Sequence, residues 1–373
     1  MSDWTERLIA GSPGLARHPH GRTIAAIAGE ALAAVDPRAC VLRSTHLLRK
    51  PAGEAAVIGE YVFDLAAEPE RAGPHEHGSI HVFGAGKASA AMASALLERF
   101  GARVAGGLVI VKHPPSDLEP RRVDDPEGVI GRVGAVEIML GDHPIPGPRT
   151  AAATARLREL AARVGARDLV LCPISGGASA LLSEPVQAVP PELWSELHAL
   201  LLARDVSIQA INKLRRRFDA LKAGGLARLL APATVVGLII SDVVGDELAL
   251  IGSGPTVYPS AREDDEYRAL LVELEDRLAD ASEPLRRALE QPPPLHEHPR
   301  IDGRPQGVHQ VLLARNGDAR EAACRRARAE GLDSIVVLPA LGGLAADEGR
   351  RLAQLLASMP ADLPVAPPCC LVT

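Results

Sequence analysis

Short apolar runs alternate with segments of helical periodicity along most of the chain. Three of these runs end in polar or glycine-rich turns, and a helical pattern follows the first two directly. Strands that alternate with helices predict a parallel sheet covered by helices, which is an α/β fold. The predicted strands are residues 80–83, 108–112, 169–174 and 234–241, and the predicted helices include 22–36, 88–100, 151–164 and 191–214.

A second α/β segment follows a break in this pattern. Residues 262–290 are typical of one long charged helix, and three prolines at 292–294 begin a polar stretch. The sequence therefore predicts a first domain over residues 1–300 and a smaller one over 301–373. In the second domain we expect strands at 308–315, 334–339 and 369–372, with helices at 317–330 and 345–358. Because a chain rarely stops inside a buried strand, this domain is expected to be incomplete.

The turns after the predicted strands are candidate ligand sites, because strands of a parallel sheet end at the same edge. The turns are 84–89, 175–179 and 241–255. Backbone N–H groups in such turns can bind phosphate or carboxylate, and Lys87 adds a positive charge. Glycines also simply permit tight turns, so a single turn is weak support.

Three common nucleotide or catalytic motifs each lack a required residue. His81 stands where a Walker A loop needs glycine, and Ser89 stands where the dinucleotide fingerprint needs its third glycine. Leu181 replaces the glycine that a nucleophile elbow around Ser179 requires.

Charge and composition narrow the chemistry further. The net charge of −6 and pI near 6.1 argue against nucleic-acid and anionic-membrane partners. Five scattered cysteines and the absence of a signal-like N-terminus indicate a cytoplasmic location. Residues 212–225 are the most basic stretch, which could bind a polyphosphate or could equally be a solvated helix face. Asp242 and Asp246 could bind Mg²⁺ or serve as turn residues.

Five motifs in order resemble the ATP-dependent glycerate 2-kinase family, in its two-domain form with a MOFRL C-terminal domain. The resemblance runs from about residue 22 to the end. The motifs are VFGAGKAS (82–89), GDHPIP (141–146), PISGGASALL (173–182), INKLRRRFDALKAGGLA (211–227) and SDVVGDELALIGSGPT (241–256).

The resemblance implies a Rossmann-like first domain, a smaller α/β second domain, and phosphoryl transfer from ATP to D-glycerate with Mg²⁺. It implies that Lys87 and Arg215 are catalytic and that Asp242 and Asp246 bind the metal. Lys112 and His143 match the family more loosely. The implied ATP- and substrate-binding residues are Gly84, Gly86, Ser175, Gly176, Gly177, Ser179, Asn212, Lys222, Ser253, Gly254 and Thr256. The expected partners are these small molecules, with a homodimer as a further possibility.

The chain departs from the family at several positions. Ala178 and Ala223 replace usual glycines, and Gly147 replaces an acidic residue. The family continues beyond Thr373 into a GGE segment and a stretch with a catalytic arginine, so a C-terminally truncated chain with weak or no activity is expected. The alternatives are a hydroxypyruvate reductase, which the incomplete dinucleotide fingerprint disfavours, and an impaired protein that only binds ligand.

Overall fold

The computed structural model describes residues 3–51, 53–68, 73, 76–115, 129–187, 189–204, 206–301, 304–336, 345–358 and 368–372. The chain folds into two compact units. One unit is Val41–Leu313, and the other combines Met1–Cys40 with Ala314–Thr373. The domain boundary predicted at residue 300 stays a prediction. The two compact units are divided differently, because the first forty residues group with the C-terminal segment.

The helices and strands follow the alternation expected from the sequence. The α-helices are α1 (Asp3–Gly11), α2 (Pro13–Arg17), α3 (Gly21–Ala34), α4 (Pro37–Ser44), α5 (Ser89–Phe100), α6 (Pro148–Ala161), α7 (Ala178–Leu181), α8 (Pro191–Ala203), α9 (Ile208–Phe218), α10 (Gly225–Leu229), α11 (Glu263–Glu273), α12 (Glu283–Glu290), α13 (Asn316–Ala329) and α14 (Ala345–Ser358). The strands are β1 (Thr45–Lys50), β2 (Gly53–Ile58), β3 (Tyr61–Leu65), β4 (Ile80–Ala85), β5 (Val104–Val111), β6 (Val129–Val133), β7 (Val136–Leu140), β8 (Leu169–Ile174), β9 (Thr234–Ile240), β10 (Arg300–Ile301), β11 (Arg304–Pro305), β12 (Val308–Ala314), β13 (Asp333–Val336) and β14 (Cys369–Val372).

A seven-stranded sheet forms the centre of the larger unit, in the order β12-β9-β8-β4-β5-β7-β6. The strands from β9 to β7 pair in parallel, and β6 is antiparallel to β7. Alternate side chains of each strand enter the hydrophobic clusters on opposite faces, as Val82 and Phe83 of β4 do. Burial on both faces explains the continuous apolar runs, and the predicted α/β fold with a mostly parallel sheet is confirmed.

Several features of the larger unit differ from the sequence prediction. The helix expected over 191–214 is two helices, α8 and α9. The strand that begins at Val308 was expected in the second domain, but it is the edge strand of the central sheet, where Val311 and Leu313 pack against the main core. The single charged helix expected over 262–290 is two helices, α11 and α12. The break between them contains a 3₁₀ turn, and the Ser282 hydroxyl accepts a hydrogen bond from Leu285 N at the start of α12.

The smaller unit contains helices that pack through small side chains. Helix α3 buries Gly21, Ala25, Ala26 and Gly29, and it packs against α13, which buries Ala322, Ala323, Cys324 and Ala327. Strands β13 and β14 pair in parallel, so the strand predicted at 369–372 is present; residues 337–339 of the other predicted strand lie outside the described residues. Within the described part of the chain, none of the helices is long and apolar enough to cross a membrane.

Candidate active site

The turns that follow β4 and β8 are held together as one unit. The backbone N–H of Lys87 donates to the carbonyl of Gly176 at 2.9 Å, and the N–H of Ala88 donates to the Ser175 hydroxyl at 3.0 Å. At Gly86, φ is +138°, and a Cβ would lie 2.2 Å from Ser175 Oγ. Only glycine fits this position, so the turn can approach its neighbour closely enough for these bonds to form.

A third turn, after β9, lies against the second one. A Cβ on Gly176 would lie 2.2 Å from Oδ2 of Asp242, so the carboxylate lies directly over the glycine backbone. The side chain of Asp242 is exposed at the end of β9. The glycine therefore lets a carboxylate from one strand end sit beside the turn from the next.

A cavity of about 370 Å³ opens at this edge of the sheet. Seven of the residues that the sequence singled out line it, and they come from the turns after β4, β7, β8 and β9 and from α9. The seven are Lys87, His143, Gly177, Ser179, Asn212, Arg215 and Asp242, and the other lining residues include Leu202, Gln209 and Gly252.

The remaining predicted site residues are not among those that line the cavity. Gly84, Gly86, Ser175 and Gly176 lie in the backbone behind it, where they shape the turns. Gly254 lies against the guanidinium of Arg216, and the hydroxyl of Thr256 bonds Gln310 in the edge strand β12.

Lys222 is placed differently from the ligand contact that the resemblance implies. Its side chain is fully buried, and its ammonium donates to the carbonyls of Ala178, at 3.1 Å, and Leu182. Burial lowers the pKa of Lys222 to about 8, and the nearby carboxylate of Asp219 opposes that shift. Lys222 thus stabilises helix α7, because it bonds the carbonyl of the first residue of that helix and the carbonyl of the residue that follows its last one.

Two polar side chains, those of Asn212 and Ser253, fix the position of Ser179 in the cavity wall. The hydroxyl of Ser179 donates to Oδ1 of Asn212 at 3.2 Å and lies 3.0 Å from the hydroxyl of Ser253. Ser253 also donates to Asn212 Oδ1 at 3.0 Å, and Asn212 Nδ2 donates to the carbonyl of Leu250 at 3.3 Å. Ser253 is therefore a support for the cavity wall, not part of its surface.

The electrostatic environment of the cavity is cationic. Burial lowers the pKa of His143, and the charges of Lys87, Lys112 and Arg215 lower it further, whereas Asp242 opposes the shift. The ring is thus neutral at pH 7. The ammonium of Lys87 is exposed and has no acceptor within the described part of the chain. Unpaired cations around a concave surface attract an anionic ligand.

The rest of the basic segment on α9 is neutralised by α11. Arg216 binds both oxygens of Glu263, at 3.1 and 2.5 Å, Arg217 lies 2.6 Å from Asp264, and Lys213 lies 3.6 Å from Glu266. These pairs border a second cavity of about 220 Å³. Because its cations already have carboxylate partners, this cavity is a weaker candidate for binding an anion than the one at Lys87.

The described residues give limited support for a metal site. They contain no group of three or more His, Cys, Asp or Glu side chains that could hold an ion. Asp242 and Asp246 were expected to act as a pair, but Asp246 is not among the residues that line the cavity; it adopts a φ of +53° in the turn. Of these two carboxylates, Asp242 lines the cavity.

Sequence reasoning missed several residues at the site. His198, Leu202 and Gln209 were not singled out, although His198 bonds Arg215 and the other two line the cavity. A weak signal was available, because His198 is one histidine in the otherwise apolar sequence LHALLLA.

These features define an α/β protein with a cationic cavity at the carboxyl edge of its parallel strands. The domain family described as a domain of unknown function, DUF4147, matches residues 23–290. This chain belongs to that family.

Curated relatives carry related names. A D-glycerate 2-kinase of Thermotoga maritima is 30% identical over 288 residues, which are 77% of this chain and 63% of the relative. The glycerate kinase of Rattus norvegicus is 33% identical over 66% of this chain and 45% of its own length. A putative hydroxypyruvate reductase of Agrobacterium vitis is 33% identical over 80% of this chain and 63% of its own length. The chain thus spans between 45% and 63% of these three relatives.

Solved structures show the same fold. The crystal structure of a glycerate kinase from Thermotoga maritima matches with a TM-score of 0.65 at 26% identity, over 92% of this chain and 71% of that one. A protein from Pyrococcus horikoshii matches with a TM-score of 0.64 at 27% identity, over 92% of this chain and 72% of that one.

Proposed function

We propose that this protein transfers the γ-phosphoryl group of ATP to D-glycerate and forms 2-phosphoglycerate. The observation that carries the proposal is the cavity lined by Lys87, Arg215 and His143, to which the nearby charge of Lys112 adds. Both substrates are anions, and phosphoryl transfer depends mainly on fixed positive charge and on positioning. The names of the relatives give the particular reaction, because a cationic cavity alone fits many phosphorylated ligands.

Lys87, Arg215 and Ser179 each have a distinct proposed role. Lys87 is an exposed ammonium on a turn that is bonded to its neighbour, so it can neutralise charge on the transferred phosphoryl group. Arg215 presents a planar guanidinium to the cavity and suits the carboxylate of glycerate. The hydroxyl of Ser179 donates its one proton to Oδ1 of Asn212, and it would donate to a phosphate oxygen by exchanging that bond.

Mg²⁺ would reach the site with the phosphates of ATP, whose charge it neutralises when bound. Mg²⁺ typically takes one or two protein carboxylates and keeps phosphate and water oxygens as its other ligands. Asp242 fits this need, since its carboxylate is exposed and lines the cavity beside Gly176. Asp246 does not line the cavity, so it has no proposed role in binding the metal.

A hydroxypyruvate reductase is the second candidate, because one similar protein carries that name. Such an enzyme needs a nicotinamide site. In a dinucleotide fingerprint the third glycine allows close packing of helix and strand, but here Ser89 is fully buried at that position and its hydroxyl donates to the carbonyl of Gly86. This packing argues against a nicotinamide site, so it disfavours the reductase relative to the kinase.

A direct assay separates these functions. The chain is incubated with ATP, Mg²⁺ and D-glycerate, and products are followed by ³¹P NMR, with L-glycerate as the matched control substrate. We expect slow formation of 2-phosphoglycerate and ADP from D-glycerate. Oxidation of NADPH by hydroxypyruvate, with no phosphoglycerate formed, would favour the reductase. Binding of ATP with no product from either substrate would contradict both enzymatic proposals and favour a protein that only binds ligand.

The other expectations about this protein also stay predictions. They are a cytoplasmic location, which the five free cysteines support, a homodimer, and the absence of a nucleic-acid partner.

A further inference from the structure

A buried histidine lies directly behind Arg215. His198 belongs to α8 and is 1% exposed, on a face of that helix that also buries Trp194, Leu197 and Leu201. Its Nε2 lies 2.9 Å from Nε of Arg215, and its Nδ1 lies 2.8 Å from the carbonyl oxygen of Trp194, one turn earlier. Both ring nitrogens therefore have one partner each.

The partners determine which ring nitrogen carries the proton. A carbonyl oxygen only accepts, so Nδ1 of His198 must donate to Trp194. A guanidinium only donates, so Nε2 must be the bare acceptor for the Nε–H of Arg215. Burial lowers the pKa of His198 to about 4, and the positive charges of Arg215 and Lys222 contribute to the shift. The ring is neutral at pH 7, which this acceptor role requires.

The bond to His198 leaves the rest of the guanidinium available. Arg215 lines the cavity, and within the described residues its two Nη nitrogens have no acceptor. A guanidinium is planar, so anchoring Nε fixes the direction in which the two Nη groups point. A carboxylate binds such a pair in two parallel hydrogen bonds only when that direction is right.

We propose that His198 is a positioning residue, which holds the guanidinium of Arg215 so that its two Nη groups receive the carboxylate of the acid substrate. The inference rests on the proposed function for the identity of that substrate. It assigns His198 no contact with substrate, because its side chain is buried and both nitrogens are used. Its effect is therefore on binding of the carboxylate and not on binding of the nucleotide.

Two substitutions separate positioning from simple filling of space. His198→Leu removes the acceptor but still fills the space with a side chain, whereas Oε1 of glutamine in His198→Gln can accept from Arg215. A hydrogen bond to a charged group predicts that His198→Leu raises KM for D-glycerate about 10- to 100-fold. Because this hydrogen bond acts on binding of the carboxylate and not of the nucleotide, we expect KM for ATP to change less than about twofold. We expect His198→Gln to recover most of the loss in D-glycerate affinity.

A control variant tests specificity for this histidine. His309→Leu changes a half-buried histidine that contacts Tyr61 and Phe63 and does not line the cavity. It should leave both KM values near those of the unaltered chain. Equal losses in His198→Leu and His198→Gln, or a rise in KM for ATP as large as that for D-glycerate, would overturn the proposal.

A measurement that needs no turnover keeps this test separate from that of the kinase reaction. In ¹⁵N-histidine-labelled protein at pH 7, the signals lost in His198→Gln identify the ring, and they should show a proton on Nδ1 and none on Nε2. A proton on Nε2 would overturn the proposal. If the chain forms no 2-phosphoglycerate, the proposed function fails. The positioning role still stands if this tautomer is found and calorimetry shows weaker D-glycerate binding in His198→Leu than in His198→Gln.

Discussion

Replacing Lys222 by methionine tests whether this lysine supports the fold or binds a ligand. The change keeps most of the side-chain volume but removes the ammonium that bonds the carbonyls of Ala178 and Leu182. It also leaves Asp219, which is 1% exposed, without the positive charge beside it. Leaving a buried charge uncompensated typically costs about 3–5 kcal/mol, so we expect Lys222→Met to lower the free energy of unfolding by that amount.

Urea unfolding measures this loss if the probe reports on the right unit. The chain has two tryptophans, Trp4 and Trp194, and Trp194 lies in the unit that contains Lys222. Fluorescence in a Trp4→Phe background therefore follows Trp194. An unchanged slope with a lower midpoint identifies a change in stability alone.

Adding Asp219→Asn provides the matched test of the interaction between these two charges. Asparagine keeps an oxygen that can accept from the backbone N–H of Leu221 and Glu184, but it removes the negative charge that Lys222→Met leaves unpaired. The double variant should thus lose less than the two single variants added together. Wild-type stability in Lys222→Met, combined with loss of ATP binding, would refute the supporting role and restore the ligand contact implied by the sequence.

Two further predictions follow from the glycine turn and the buried histidine. Gly176→Ala places a Cβ 2.2 Å from Asp242 Oδ2 and displaces that carboxylate, so turnover should fall by up to about 10²-fold, whereas Gly317→Ala, whose Cβ meets nothing within 4 Å, should leave turnover unchanged. The pKa of His198 is about 4 when folded and near 6.5 when unfolded, so its neutral form favours the folded state. Its stabilising contribution is therefore present above pH 6.5 and lost as the pH falls towards 4, by roughly 3 kcal/mol in all. His198→Gln should show a correspondingly shallower loss of unfolding free energy over that range, and an identical slope would show that His198 is not the titrating group.

The central sheet was predictable because its strands are buried on both faces. Leu169–Ile174 is buried throughout, so its sequence is an uninterrupted apolar run that ends at a glycine turn. The antiparallel sheet of β1–β3 was not predicted, and Thr45–Lys50 shows why. Only the first residue of this strand is buried, and most of the others are exposed to solvent. Such a strand carries little periodic signal in the sequence.

Burial and pairing explain what the sequence could not predict at the site. Lys213, Arg215 and Lys222 belong to one basic segment, and nothing in their order shows that Lys213 pairs with Glu266, that Arg215 faces the cavity, or that Lys222 is buried. These roles depend on contacts with helices that are distant in sequence. The placement of Val308 in the central sheet likewise depends on pairing with β9, which a local pattern cannot reveal.

The most direct test of the proposed kinase compares two lysine variants in the D-glycerate assay. Lys87→Ala removes the exposed ammonium that lines the cavity, and Lys213→Ala removes a lysine on α9 that pairs with Glu266 beside the other cavity. Loss of a charge that acts in the transition state should lower the rate of 2-phosphoglycerate formation about 10²-fold or more in Lys87→Ala. Lys213→Ala should retain near-normal turnover, and both variants should unfold at the same urea concentration as the unaltered chain. Near-normal turnover by Lys87→Ala would contradict the assignment of this cavity as the phosphoryl-transfer site.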